Sequence, residues 1–445
     1  MPFGYTLIDP LVVLLGTGLA VYFLGTRPIR LMAWLPGMLT LYFFIPFVTL
    51  LTMWQTVPLL LASRVLLKGQ IRADGPVRLF LLLLLAGFAA SAFYAGLLGP
   101  DKSRAVIRSI FYIGVFAIVS FTYEMGRRED CYELLLKGLA ILGTVLAVYA
   151  LYQLLAAYTG LPFRGILRGT GGAQAAFEGG FFRPNSLATE PKRLGYVMFV
   201  CALACLFLAR LRPERSLRLK WTGAGILVMS LFTFAGSYFA AIALFGILAS
   251  MLFPSRSTKY VLGFVAVVVI TMTAFQDSNL VQTIEHGIER RLNEVEVGLD
   301  GYKVYRQEFY AWDYLDKNPS AALFGVGVGQ YYQTFSSTYG LGAGISEKGG
   351  LLPLNSNFLE LVFDLGGIAA TAFYGAIVLL ILALRRQGET FLCLALLFLT
   401  VQSLSILTLH FMVLFAGVGT GRLALARQRN RRQAWQMPAP EGQVS

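Results

Sequence analysis

The sequence predicts an all-α integral membrane protein that crosses the bilayer about 12 to 13 times. Its 445 residues are 56% hydrophobic and 14% charged, and the mean hydropathy is +0.65. A soluble chain would carry roughly 25% charged residues. The apolar residues form blocks of about 16 to 27 residues, and helices of that length cross a hydrocarbon core of roughly 30 Å. These observations exclude a soluble fold.

The segments between the predicted spans lie alternately on the two sides of the membrane, and the two sets of segments differ in charge. One side receives short basic segments holding 23 of the 37 Lys and Arg residues, so it is predicted to face the cytoplasm. This bias also explains the net charge of +13, and no nucleic-acid partner is expected. The spans are predicted at residues 6–25, 31–47, 49–66, 78–98, 105–126, 136–158, 193–210, 221–235, 237–253, 260–275, 357–384, 389–406 and 407–421.

The spacing of the spans divides the chain into six parts. They are an N-terminal transmembrane bundle (1–158), a basic outer loop (159–192), central transmembrane helices (193–275), a large outer loop (276–356), C-terminal transmembrane helices (357–421) and a basic cytoplasmic tail (422–445). The last 20 residues, which include two prolines, are predicted to be disordered. No cleavable signal peptide is expected, because residues 1–10 lack a basic region.

The cysteines and histidines do not predict a metal or cofactor site. Cys131, Cys201, Cys205 and Cys393 lie in or beside apolar segments without metal-ligand spacing, and the chain has 2 histidines. Cys201 and Cys205, one helical turn apart, are interpreted as small packing residues. No cofactor is expected.

The outer segment "FFRPNSLATEPKRLGYVMF" (181–199) predicts an anion site. A helix begins at Pro191, and its first turn carries Lys192 and Arg193, with Arg183 shortly before. Cations at a helix N-terminus oppose the helix dipole, whereas a bound phosphate group would satisfy the cations, the free N–H groups and the dipole together. The alternative is that both side chains reach to lipid headgroups.

The large outer loop contains a predicted amphipathic helix over 302–317. Its aromatic stripe includes Trp312 and suits either anchoring at the membrane interface or stacking on sugar rings. Arg306 is interpreted as a functional cation or as the ion-pair partner of Asp313. The following "FGVGVGQ" is not interpreted as a nucleotide site, because it lacks the strand and helix that such a site needs.

The segment "LNSNFLELVFDLGGIA" (354–369) places carboxylates at the outer end of a span. Glu360 and Asp364 are costly to bury in a membrane and therefore predict function, although Glu360 also suits an interfacial position. His286, in the large outer loop, could act as a base or be a solvated surface residue. His410, near the start of the last span, is interpreted as a packing residue.

These segments, in this order, resemble the Wzy_C / O-antigen ligase and polymerase superfamily of bacterial envelope glycosyltransferases. The resemblance covers roughly residues 180–384 by motif, and the whole chain by hydrophobic layout. It implies a helical GT-C-like fold in the bacterial inner membrane, with the active site on the periplasmic face. The implied donor is a glycan linked through pyrophosphate to undecaprenol, and the implied mechanism is inverting and metal-independent.

The resemblance also implies roles for individual residues. Arg183 and Arg306 fall at the family's pyrophosphate-binding positions, and Lys192 and Arg193 are additional candidates. The family's histidine, its expected base, is replaced here by Asn355, which cannot accept a proton. Glu190 and, less strongly, His286 are therefore candidate bases. The candidate sugar-binding residues are Tyr310, Trp312 and Asn357.

The missing histidine favours a polymerase of O-antigen or exopolysaccharide repeat units over a ligase that transfers the glycan to lipid A-core or protein. A transporter of lipid-linked oligosaccharide is the alternative from another class, although no internal repeat supports it. The expected partners are undecaprenyl-pyrophosphate-linked glycans and membrane lipid, with a chain-length regulator and a flippase as further candidates.

Overall fold

The computed structural model describes residues 2–3, 8–41, 44–45, 51–68, 76–164, 177–178, 181–188, 191–233, 236–254, 307–339, 354, 356–403 and 409–436. Within these ranges the chain is almost entirely helical. The helices are α1 (Ile8–Thr26), α2 (Leu31–Thr40), α3 (Met53–Lys68), α4 (Pro76–Leu97), α5 (Lys102–Gly126), α6 (Cys131–Thr159), α7 (Pro191–Leu211), α8 (Ser216–Leu231), α9 (Gly236–Leu252), α10 (Gln307–Lys317), α11 (Pro319–Phe324), α12 (Tyr331–Tyr339), α13 (Asn357–Leu365), α14 (Gly367–Arg386), α15 (Thr390–Ser403) and α16 (Leu409–Gln436).

The remaining regular structure is short. Two 3₁₀ turns, Pro28–Arg30 and Pro213–Arg215, precede α2 and α8. Three pairs of two-residue strands form the only sheets in the described ranges. β1 (Pro2–Phe3) pairs in parallel with β4 (Phe163–Arg164), whereas β2 (Phe44–Ile45) with β3 (Leu51–Thr52) and β5 (Phe177–Glu178) with β6 (Phe181–Phe182) are antiparallel.

The helices confirm an all-α, multi-pass membrane protein. Six helices among the described residues are long and apolar enough to cross a bilayer, namely α1, α5, α6, α7, α14 and α16. Three shorter apolar helical stretches lie at Leu85–Leu97, Tyr238–Leu252 and Thr390–Ser403. The span predicted at 260–275 lies outside the described residues.

Two sequence predictions about helix ends are wrong. The span predicted over 357–384 is two helices, because Gly366 has a φ of 91° and separates α13 from α14. Few residues other than glycine adopt such a backbone conformation. The tail predicted to be disordered from residue 426 is helical as far as Gln436, because α16 continues without interruption out of its apolar part. Residues 437–445 lie outside the described ranges.

Helices α5 and α16 pack closely because their contact faces carry glycines. A Cβ added at Gly417 would lie 1.9 Å from Thr122 Oγ1, and one added at Gly421 would lie 2.5 Å from the backbone oxygen of Tyr123. The Gly417–Gly421 spacing is the small-xxx-small pattern that lets membrane helices approach closely. Near the start of both helices, His410 stacks on Phe111, so α5 and α16 run in the same direction, as the predicted alternation requires.

The cysteines pack between helices, as the sequence predicts. All four are buried free thiols. A Cβ added at Gly143 of α6 would lie 2.5 Å from Cys201 Cβ, and one added at Gly223 of α8 would lie 3.1 Å from Cys205 Cβ. Larger side chains on α7 would separate it from both neighbours.

Candidate functional site

The structure describes five of the ten residues predicted for the site with their side chains. These are Arg183, Lys192, Arg193, Trp312 and Asn357. The predictions for Glu190, His286, Arg306 and Asn355 lie outside the described residues, and Tyr310 is described only as part of the backbone of α10.

A cluster of charged residues joins α5 to α13. Arg108 donates from Nε to Asp364 Oδ2 over 2.7 Å, and its Nη2 donates to Glu360 Oε2. The Tyr112 hydroxyl donates to the same Asp364 oxygen over 2.8 Å. We call Arg108, Tyr112, Glu360 and Asp364 the α5–α13 cluster.

The spacing of residues along α5 and along α13 brings the members of this cluster together. Arg108 and Tyr112 are four residues apart on α5, and Glu360 and Asp364 are four residues apart on α13, so each pair lies on one helix face. The Arg108 guanidinium also lies over the Phe111 ring, 4.5 Å from its centroid. The side chains of Glu360 and Asp364 are 5% and 1% exposed, and that of Arg108 is 19% exposed. One guanidinium therefore faces two buried carboxylates, and these three groups carry a formal charge of −1 when all are ionised.

The basic start of α7 acts on the α5–α13 cluster. Arg193 is 9% exposed, whereas Lys192 beside it is half-buried. Arg193 interacts electrostatically with Glu360 and with His410. Among the described residues, Glu360 is thus one negative charge on which this unusual helix start acts.

The cluster lies toward the N-terminal end of α5, the end that the sequence predicts to face away from the cytoplasm. Arg108 is 18 residues before the end of α5 at Gly126, a distance of about 27 Å at 1.5 Å per residue. The same rise places Arg193 about 26 Å from Arg210 in α7. Both distances match a hydrocarbon core of roughly 30 Å. Basic residues lie at the C-terminal ends of both helices, Arg127 directly after α5 and Arg210 in the last turn of α7. These charges therefore lie near headgroup depth rather than at the midplane.

The loop before α7 enters the bundle beside α6. The Gln153 side chain accepts from the Ser186 backbone N–H over 2.6 Å, and its amide donates to Asn185 Oδ1 over 3.1 Å and to the Ser186 carbonyl over 3.4 Å. The Ser186 hydroxyl donates to the Leu146 carbonyl over 2.9 Å. Leu146 lies 13 residues before the end of α6, about 20 Å along its axis. Non-helical backbone at such depth needs protein partners, which Gln153 and Leu146 supply.

Arg183 is held at the end of α8. Its Nε donates to the Thr233 carbonyl over 3.0 Å, just beyond the last residue of α8. A cation is favourable at this end of a helix dipole. A Cβ added at Gly195 would lie 3.0 Å from Thr233 Oγ1, so this contact lies two residues along α7 from Arg193. Thr233 therefore contacts both Arg183 and the first turns of α7, the helix that carries Arg193.

The glycine-rich segment 325–330 closes the cluster from the outer side. The Gly329 N–H donates to Asp364 Oδ1 over 2.9 Å, and the Val326 N–H donates to the Phe363 carbonyl over 2.7 Å. Gly329 has a φ of 73°, and a Cβ there would lie 2.7 Å from the Arg104 carbonyl. These contacts give the glycines of "FGVGVGQ" a packing reason, consistent with rejecting a nucleotide site.

A second glutamine fastens this segment to the start of α5. Gln330 Nε2 donates to the Asp101 carbonyl over 2.9 Å, and Gln330 Oε1 accepts from the Asp101 N–H over 3.0 Å. Asp101 also caps α5 by accepting from the Arg104 N–H over 3.1 Å. Gln153 and Gln330 use the same device, in which a side-chain amide pairs with both backbone groups of one distant residue.

The predicted sugar-binding residues take different positions. Trp312 of α10 is 53% exposed and stacks on Phe358 of α13, with ring centroids 6.2 Å apart. Asn357, the first residue of α13, is 2% exposed and lies one turn before Glu360. An exposed indole beside a buried amide is compatible with a sugar contact and with interfacial anchoring.

Asp313 of α10 binds partners other than the predicted arginine among the described residues. It accepts from Lys317 Nζ over 2.8 Å and from the Tyr339 hydroxyl over 2.6 Å. These two hydrogen bonds lower the pKa of the Asp313 carboxyl below its usual value. The Tyr339 bond joins α10 to α12, whereas the Lys317 bond lies within α10.

Sequence reasoning identified both carboxylates and Arg193 but missed Arg108. An arginine inside an apolar helix is itself a signal of function, and Arg108 with Tyr112 matches the spacing of Glu360 with Asp364. The two glutamines, Gln153 in an apolar helix and Gln330 in the glycine-rich segment, gave no such signal, because a single glutamine has no fixed partner in the sequence. His410, interpreted as a packing residue, does stack on Phe111, and it also lies in the field of Arg108 and Arg193.

No family model matches this chain, and no curated protein matches it. Among the residues that the structure describes, no group of three or more His, Cys, Asp or Glu could hold a metal ion. The site is therefore interpreted from its own residues. It can bind an anion at Arg193 and Lys192, and it holds a carboxylate nearby that could accept or orient a hydroxyl group.

Proposed function

We propose that the protein is a membrane glycosyltransferase that polymerises undecaprenyl-pyrophosphate-linked oligosaccharide repeat units on the periplasmic face of a bacterial inner membrane. The observation that carries the proposal is the buried cation Arg193 in the first turn of α7, at one end of a helix long enough to span the membrane. Its charge also acts on the buried Glu360 carboxylate. A lipid diphosphate presents its charge at headgroup depth, whereas its isoprenoid tail remains in the hydrocarbon.

The proposed reaction transfers the growing glycan onto the next repeat unit. A hydroxyl oxygen of the acceptor sugar forms a bond to the anomeric carbon of the donor, and the bond from that carbon to the diphosphate oxygen breaks. The electron pair leaves with undecaprenyl pyrophosphate, and the hydroxyl proton passes to a base. Lys192, Arg193, Arg183 and Arg306 are the proposed cations that stabilise the leaving diphosphate, with no metal ion required. The acceptor hydroxyl approaches the anomeric carbon from the side opposite the diphosphate, so the configuration at that carbon is inverted.

The depth of the charges bears on the transporter alternative. Transporters place substrate and ion sites near the bilayer midplane. The α5–α13 cluster is a buried charged site that the sequence did not predict as such, yet it lies about 27 Å from the inner end of α5. A site near one surface favours chemistry on a substrate presented there. A ligase that uses the same donor has the same requirement and remains the alternative within the proposed class.

The first experiment tests the class of reaction. Purified protein in nanodiscs would be given an undecaprenyl-pyrophosphate oligosaccharide, with and without a chelator, and the products separated by size. We expect a ladder of products that the chelator does not change. No transfer from this donor would refute the proposal, and transfer only to lipid A-core would identify a ligase.

The second experiment tests the anion site. We expect Arg193→Gln to lower the transfer rate by about 10²-fold or more, as loss of one charged contact to a transition state does. Arg210→Gln is the matched control, because Arg210 lies at the other end of the same helix and is exposed. Equal rates for the two variants would refute the role of Arg193.

A further inference from the structure

We propose that Glu360 is the proton acceptor for the acceptor hydroxyl, and that Arg108 and Asp364 are positioning residues that orient its carboxylate. The proposal rests on the glycosyl transfer proposed above and assigns one step of it. In that step, the hydroxyl proton moves to a Glu360 carboxylate oxygen as the new glycosidic bond forms, and it then passes to water.

Asp364 and Glu360 differ in their hydrogen bonds, and this difference indicates which carboxylate can act as the base. Asp364 accepts on both oxygens, from Arg108 and Tyr112 at Oδ2 and from the Gly329 N–H at Oδ1. In the part of the chain that the structure describes, Glu360 accepts from Arg108 alone, at Oε2. Asp364 is thus fully used in holding the structure together, whereas Oε1 of Glu360 keeps its capacity to accept a proton.

The charges of the cluster favour this role. A single arginine shares its charge between Glu360 and Asp364, so one negative charge is not balanced within the α5–α13 cluster. The hydroxyl becomes more acidic as the anomeric carbon gains oxocarbenium character, so a weakly basic carboxylate is sufficient. Protonation of Glu360 during the step removes the unbalanced charge of the cluster.

The proposed step is an inverting displacement. Such a displacement needs the base and the leaving diphosphate on opposite sides of the reacting carbon. In inverting glycosidases, the two catalytic carboxyl groups stand about 6.5–9.5 Å apart for the same reason. Arg193 and Glu360 come from different helices, α7 and α13, and the Arg193 charge acts on the Glu360 carboxylate. A sugar between them would have its diphosphate at the start of α7 and its acceptor at Glu360.

The orientation of Glu360 is supported through Arg108, which joins it to the firmly held Asp364. Arg108 bridges the two carboxylates, Tyr112 fixes the shared oxygen, and the Ser91 hydroxyl donates to the Asp364 carbonyl over 2.5 Å. A base held this firmly loses little entropy when the acceptor arrives, which is the usual benefit of a preorganised site. The same contacts attach the glycine-rich segment, so the base and the outer loop are positioned together.

The decisive variants are Glu360→Gln and Glu360→Asp, measured in nanodiscs with the lipid-diphosphate donor. We expect Glu360→Gln to lower kcat by about 10²- to 10⁴-fold, the contribution typical of a general base, with the donor KM changed less than about 3-fold. We expect Glu360→Asp to lower kcat by about 10²-fold, because it keeps the charge but withdraws the carboxylate by one methylene. The aspartate variant also tests the role if the glutamine variant does not fold.

Glu389→Gln is the matched control. Glu389 binds Arg422 over 2.7 Å, and both side chains are 18% exposed, but this pair lies away from the α5–α13 cluster, just before the start of α15 and in the middle of α16. We expect the control to retain wild-type kcat. If the wild-type protein is active and the Glu360 variants keep more than about a tenth of its kcat, Glu360 is not the base, but the proposed function stands. If the wild-type protein transfers nothing from this donor, both proposals fail.

Discussion

Removal of Arg108 should strongly destabilise the protein. Arg108→Leu leaves Glu360 and Asp364 buried and facing each other without their shared cation. Breaking a buried ion pair costs about 3–5 kcal/mol. The 19% exposure of the arginine favours the lower end of this range, and the lost contact with the Phe111 ring adds about 0.5–2 kcal/mol. A total of about 4 kcal/mol is expected.

The assay is thermal unfolding in detergent, followed by size-exclusion chromatography of the protein that remains soluble. A triple variant, Arg108→Leu with Glu360→Gln and Asp364→Asn, separates charge from packing. It removes both stranded carboxylates, so it should unfold at a higher temperature than Arg108→Leu alone. If Arg108→Leu unfolds with the wild type, or if the triple variant is no more stable than the single one, the electrostatic reasoning is wrong.

Three further predictions concern packing, the basic loop and pH. Gly421→Leu should cost about 1–3 kcal/mol or more by forcing α16 away from α5, whereas Gly375→Leu, where an added Cβ meets nothing within 4 Å, should unfold like the wild type. Gln153→Leu leaves the buried Ser186 N–H unsatisfied, so it should cost about 1–3 kcal/mol and expose the loop to protease; unchanged cleavage would contradict this. The pKa of Asp313 is lowered in the folded state, so its ionised carboxylate should stabilise the protein at neutral pH, and this stabilisation should be lost as the pH falls through and below the ordinary pKa of 3.8. Asp313→Asn should remove that part of the pH dependence when proteolytic cleavage of α10 is measured against pH. An unchanged cleavage profile would argue against this role of Asp313.

Local rules predicted several elements of the fold from the sequence. Pro191 begins α7, and Asn318 ends the amphipathic helix that the structure describes from Gln307. Long apolar blocks predicted the spanning helices because a hydrocarbon core excludes backbone groups that are not bonded within the segment. Each of these features depends on residues within a few positions of one another.

The candidate site was only partly predictable, and the reason is the distance between its residues along the chain. Glu360 and Asp364 attracted attention because carboxylates are costly in a membrane. Their partner Arg108 lies 252 and 256 residues earlier, and no local pattern pairs two such segments. The break at Gly366 was missed because "DLGGIA" is also compatible with a continuous helix, and the deciding contact is the approach of α11.

The sequence by itself determined that this protein is helical, crosses the membrane many times, and carries an excess of cations on its outer basic loop. Those properties follow from composition and local spacing, on which the bilayer acts directly. Only the tertiary structure decided that one arginine serves two carboxylates and that two glutamines attach non-helical segments to the bundle. Helix packing decides these contacts, because it brings together polar groups whose burial is tolerated only when they bind one another.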